Sequence, residues 1–122
     1  MSKSDTKVWL KEVVELALLY DFYGELLSDS SKEVFEGYVL NDMTLAEISE
    51  ETGVSRQGIH DTVKRTVNKL RSFENKLHLV EKFECVKRDV EKINEMALAV
   101  KEGDNSKADD IIRISRELID SY

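Results

Sequence analysis

Between residues 56 and 68 the chain sets out Arg56, Gln57, His60, Asp61, Lys64, Arg65 and Asn68. These are the side chains that bind a polyanion and read it: guanidinium and ammonium groups hold phosphates, and a carboxamide reaches a base edge. A carboxylate only accepts, for instance from a cytosine amine. At about 100° per residue on a helix, Gln57, Asp61, Lys64, Arg65 and Asn68 share the face opposite Ile59, Val63 and Leu70. Arg56 and His60 stand on its shoulder. The chemistry is binding, not turnover. Apart from His60, the only soft ligands or nucleophiles are His78 and Cys85, and their sequence separations match no metal-ligand pattern. No glycine-rich phosphate loop is present, and the carboxylates fall on solvated faces of amphipathic segments. Tyr20, Phe22 and Tyr23 lie inside an apolar helix and read as core. No metal, no cofactor and no catalytic activity are therefore expected.

The elements that must position this face are legible around it. Thr44 to Leu70, TLAEISEETGVSRQGIHDTVKRTVNKL, carries Leu45 and Ile48 on one side of a short helix, with Ala46 small enough for a close crossing. Thr44 with Glu47 forms a capping box at its start. Gly53 can take the left-handed conformation that ends a helix, and Val54 is expected as an apolar plug behind it. Ser55 restarts the chain as an N-cap. Ile59, Val63, Val67 and Leu70 then make the buried stripe of a second helix. This is a helix-turn-helix, the geometry that presents a second helix to the DNA major groove. The same pattern also suits a plain helical hairpin with a solvated charged face.

Charge divides sharply along the chain. Its net charge is −7, which opposes nucleic-acid binding, because affinity for a polyanion comes mostly from positive charge. Residues 15–53 hold ten acids against Lys32, a net of −9, whereas residues 54–72 hold Arg56, Lys64, Arg65, Lys69 and Arg71 against Asp61, a net of +4. The positive charge sits on the expected recognition helix. That asymmetry suits DNA, and equally an acidic protein or structured RNA.

With 122 residues, no proline, five glycines and 35% charged residues, the chain favours an all-α fold with one true core and an appended arm. The expected division is a helix-turn-helix domain at 1–80 and a helical arm at 81–122. One cysteine excludes an internal disulfide and fits a cytoplasmic location. No apolar run approaches a membrane span, and the polar start MSKSDTK shows no export signal.

Val8 to Leu27 reads as a long first helix, buried through Val13, Ala17, Leu18, Phe22, Tyr23, Leu26 and Leu27. Ser28–Ser31 caps a short second helix bearing Val34, Phe35, Tyr38 and Val39, in which Gly37 costs about 1 kcal/mol relative to alanine. Leu70, Phe73, Leu77 and Val80 continue one stripe; Phe83, Val86, Val90, Ile93, Ala97 and Val100 form another, out of register with the first. The step between them fits a stammer in a continuous coiled coil or a turn; a tight turn near Leu79–Phe83 is expected. Gly103 and Ser106 break the chain before a last helix with Ala108, Ile111, Ile112, Ser115, Leu118 and Ile119 on its apolar side. The arm carries more apolar surface than one small bundle needs. It is therefore expected to cover the first domain or, through Phe83, Val86, Val90 and Ile93 with Ile111 and Leu118, to make a homodimer.

Leu18–Asp29 (LLYDFYGELLSD), Thr44–Thr66 and Phe73–Leu79 (FENKLHL) together resemble the YlxM-like bacterial helix-turn-helix proteins, over the central half of the chain. The resemblance implies a fold similar to the DNA-binding region of sigma factors, within the wider helix-turn-helix and winged-helix-like superfold. Genes of that family typically lie beside those of the signal recognition particle protein. It implies a regulatory or accessory part in that protein-targeting pathway, with particle protein or RNA as partner; the alternative is a sequence-specific transcriptional regulator on DNA. The chain departs from the family pattern at Gly58, where alanine is usual, at His60, where tyrosine is usual, and at Gly37, where a larger residue stands.

Overall fold

The computed structural model describes the backbone of residues 3–121 and the side chains of residues 11–121. The polar start of the chain and the side chain of Val8 lie outside the described side chains. Among the described residues six α-helices follow one another: α1 (Lys3–Tyr23), α2 (Asp29–Phe35), α3 (Leu45–Thr52), α4 (Arg56–Leu77), α5 (Leu79–Lys101) and α6 (Lys107–Asp120). A 3₁₀ turn at Gly24–Leu26 joins α1 to α2, and a π-turn at Glu36–Leu40 continues α2. No strand occurs among the described residues, so the protein is all-α. The chain divides into two compact units, residues 1–80 and 81–122.

The first unit is built on α4, which packs against α1, α2 and α3. Leu16, Leu19, Tyr23, Leu27, Phe35, Val39 and Leu70 form its main core, and Val34, Ile48 and Ile59 form a second cluster beneath the helix-turn-helix. The apolar face of α1 differs from the sequence expectation. Leu16 and Leu19 are buried, Val13, Ala17, Leu18 and Phe22 are half-buried, and Leu26 is exposed. The change at Leu26 is local: α1 stops at Tyr23, and the tighter 3₁₀ turn changes the angular step, so Leu26 turns outward while Leu27 stays inward.

Aromatic rings fill the space between α1 and its neighbours. Tyr20 stacks on Phe35 with centroids 4.9 Å apart, and Tyr23 lies 5.8 Å from Phe73, an arrangement worth about 1 kcal/mol per pair beyond burial. Gly37 sits where a Cβ would come within 3.3 Å of Met43 Sδ and 3.4 Å of Ile48. The π-turn and the absent side chain together let α3 close on α2.

One residue separates α4 from α5. The break is at His78, in the left-handed conformation at φ 55°, and not over Leu79–Phe83. Its neighbours supply the caps. Tyr23 Oη donates to Glu74, the Leu79 N–H donates to Tyr23 Oη at 3.1 Å, and the Val80 N–H donates to Glu74 Oε1 at 3.0 Å. Two of the orphan amides at the start of α5 are thereby satisfied by side chains from α1 and α4. Burial first, and the Glu74 carboxylate second, push the Tyr23 phenol above its ordinary range.

In the second unit the last helix also turns differently from expectation. Ile114 is buried, whereas Ile112 and Ile119 are exposed. Ser106 stands at the N-cap of α6 without a side-chain cap bond; instead Asp104 accepts from the Ser106 N–H at 3.2 Å and from its hydroxyl. Hydrogen bonds from Ser106 hold the Asp104 carboxyl below the usual carboxylate range. In α5, Val86 and Ile93 are half-buried, while Phe83, Val90 and Ala97 are exposed. The stripe read as one surface is thus split between two.

Candidate nucleic-acid interface

Both helices that flank the α3–α4 turn are capped at their starts, and α3 is closed at its end by Gly53. Thr44 accepts from the Glu47 N–H at 3.1 Å while Glu47 accepts from the Thr44 N–H at 3.5 Å, closing the capping box. Gly53 ends α3 at φ 75°, and Ser55 opens α4 by accepting from the Gly58 N–H at 3.1 Å. Val54 is not a buried plug. It is 43% exposed, and a Cβ on Gly58 would lie 2.9 Å from its Cγ1, so it packs over the glycine at the surface. Ser49 Oγ donates to the Val54 carbonyl at 2.6 Å, which ties the turn back to α3. With the turn fixed this way, the direction of α4 is fixed too.

All seven residues singled out from the sequence are exposed on α4: Arg56, Gln57, His60, Asp61, Lys64, Arg65 and Asn68. They do not form one uniform face. Gln57 Nε2 donates to Asp61 Oδ1 at 3.0 Å, and His60 Nδ1 lies 3.8 Å from the same oxygen. Asp61 therefore gathers an amide and an imidazole around it. Arg65 folds back to donate to Thr62 Oγ1 at 3.2 Å. His60, with Lys64 and Asn68, also lines a cleft of about 320 Å³, floored by Leu16, Val39, Val63 and Val67 and rimmed by Glu12 and Arg71. Arg56, Lys64 and Lys69 make no ion pair among the described residues.

Two features of α4 escape sequence reasoning. Arg71, counted among the positive charges of the helix, lies 3.4 Å from Glu12 and 3.9 Å from Glu15 of α1. Its charge is paired with α1 carboxylates at the half-exposed surface of the first unit. Nothing near Arg71 in the sequence signals this, because the partners come from a helix more than fifty residues away. The second is Thr66, a polar residue buried in the middle of α4. Its hydroxyl donates to the Thr62 carbonyl at 2.8 Å, and Thr62 likewise donates to the Gly58 carbonyl at 2.9 Å. Each hydroxyl is satisfied on its own helix, so threonine can stand in the apolar stripe.

Residues 10–111 match the family model described as "putative helix-turn-helix protein, YlxM / p13 like". The chain belongs to this family. Among curated members, a UPF0122 protein of Caldanaerobacter subterraneus is 50% identical over 80 residues, covering 66% of this chain and 68% of the relative. One from Thermoanaerobacter sp. is 42% identical over 103 residues, 84% of this chain and 86% of the relative. The UPF0122 protein YlxM of Bacillus subtilis is 40% identical over 93 residues, 76% of this chain and 84% of the relative. The family description names a helix-turn-helix and no catalytic activity. Among the described residues no group of His, Cys, Asp and Glu side chains could hold a metal ion, and no helix is long and apolar enough to cross a membrane.

Proposed function

We propose that this protein is a nucleic-acid-binding regulator that lays the N-terminal half of α4 in the major groove of duplex DNA. One observation carries the reading: the solvent-facing side of α4, aimed by a turn capped at both ends, presents Arg56 and Lys64 with no ion-pair partner among the described residues. Arg56, Lys64 and Arg65 hold phosphates, His60 and Asn68 flank them, and Gln57 reads a base edge while Asp61 steadies its amide. Release of counterions by these cations supplies most of the affinity.

A second reading is favoured by the net charge of −7 and by the carboxylate of Asp61 in the middle of the reading surface. Here the same helix docks on a component of the signal recognition particle, protein or RNA, as an accessory factor in protein targeting. The test is a titration of the wild-type protein and of the Lys64→Ala, Arg65→Ala double variant against duplex DNA and against the particle, at two salt concentrations. On the DNA reading the double variant binds duplex more weakly, and its salt dependence flattens by about one unit of slope for each phosphate left without its cation. Gln57→Ala leaves the slope and relaxes discrimination between sequences. On the accessory reading, duplex binding is negligible from the start and affinity for the particle falls instead. Unchanged binding to both would falsify a role for α4.

A further inference from the structure

The Gln57 side chain does not stand alone on α4. Its Nε2 donates to Asp61 Oδ1 at 3.0 Å, one turn further along the helix. An ionised carboxylate only accepts, so the carboxamide is held with its nitrogen, and not its oxygen, toward Asp61. Asp61 has cations at the two positions that ordinarily pair with it on a helix, Lys64 and Arg65. It meets neither among the described residues: Arg65 turns to Thr62, and His60 Nδ1 lies 3.8 Å from the same Oδ1. Gln57 and Asp61 are both exposed. The oxygens left without a partner are Gln57 Oε1 and Asp61 Oδ2, and the one remaining donor is the second hydrogen on the nitrogen that Asp61 holds.

On the footing of the duplex-DNA reading, we propose that Gln57 and Asp61 act as one acceptor surface that selects an exocyclic amine in the major groove, adenine N6 or cytosine N4. The same surface rejects guanine and thymine at that position of the strand. Guanine shows O6 and N7 there and thymine shows O4, all acceptors, whereas adenine and cytosine each show an amine. Against guanine, two protein acceptors face two base acceptors with no hydrogen between them, after the water that satisfied all four has left. Against adenine or cytosine, the amine hydrogen not used in base pairing reaches the protein oxygens. Every base pair carries one amine and one carbonyl in this groove. The surface therefore separates A·T and C·G from T·A and G·C, and does not separate A·T from C·G. A glutamine without a carboxylate beside it reads differently: its oxygen and nitrogen bridge N6 and N7 of adenine, which cytosine cannot match.

The test is selection of a randomised duplex library by the full chain, followed by single-atom changes in the selected site. One position accepts A·T and C·G and excludes the reversed pairs by about tenfold, and Asp61→Asn loses this preference. Removing the Asp61 charge for electrostatic reasons alone raises affinity for all duplexes equally, so a uniform gain with the preference unchanged overturns the proposal. Replacing the selected adenine by purine, which lacks the N6 amine, weakens binding by about the same factor. Its replacement by 7-deazaadenine, which lacks N7, leaves binding unchanged. Equal sensitivity to both analogues, or adenine favoured over cytosine, overturns the acceptor surface while the DNA reading stands. A wild-type chain that binds no duplex at roughly 50 mM salt overturns that reading and the acceptor surface together.

Discussion

The charge of a single arginine depends on where its partners are. Arg71 sits on the same helix as Lys64 and Arg65 but faces Glu12 and Glu15. As a half-exposed pair it adds little to stability, less than about 1 kcal/mol, yet it withholds one cation from any polyanion. Changing Glu12 and Glu15 to Gln together is expected to steepen the salt dependence of duplex binding by about one unit, read from affinities between 50 and 200 mM salt. Two tyrosines set a different residue-scale effect. Burial, and then the hydrogen bond to Glu36, push the Tyr20 phenol up to about 12, and Tyr23 is shifted in the same direction. A phenol whose folded pKa lies above its unfolded value stabilises the fold fully below the unfolded value, and that contribution is lost as pH rises. Melting temperature should therefore fall between pH 10 and pH 12, and Tyr20→Phe should flatten the fall.

At the scale of elements, the two glycines around the turn act in opposite ways. Gly53 has φ 75° with open space around it, so only conformation restricts it. Gly53→Ala is expected to cost about 1 kcal/mol, the penalty of a left-handed alanine. Gly58 has helical backbone, and alanine there gains about 1 kcal/mol of helix propensity, but its Cβ would meet Val54 Cγ1 at 2.9 Å. Val54 is free to yield at the surface, so Gly58→Ala should change stability by less than about 0.5 kcal/mol. Urea denaturation of the two variants separates these outcomes. The turn and its caps were legible in the sequence because they are local: Thr44, Glu47, Gly53 and Ser55 each act within four residues. The same holds for the buried stripe of Ile59 and Leu70. What was not legible is set by distant groups. The break at His78 depends on Tyr23 and Glu74 meeting across α1 and α4, and no residue near it carries a turn signature. The outward turn of Leu26 follows from a 3₁₀ step that hydrophobic period alone does not encode. On the candidate face, exposure of all seven residues follows from helical period, but the partners of Gln57, Arg65 and Arg71 depend on rotamer and tertiary neighbour.

For the whole molecule, an acidic body must approach an acidic polymer. Net charge slows such an encounter, and only the local field of α4 favours it. With Arg71 paired to α1, the proposed reading face offers Arg56, Lys64 and Arg65, so binding to duplex should give a slope of log affinity against log salt of about −3. Replacing Lys64 and Arg65 by alanine together should reduce that slope to about −1. Val90→Glu lies in the second unit and leaves α4 untouched, so it should leave the slope at about −3. Fluorescence anisotropy on a duplex across 50 to 200 mM salt measures the slope in each protein. A slope that stays the same in Val90→Glu would mean that α4 binds without help from the second unit, and the two units would then have separate tasks.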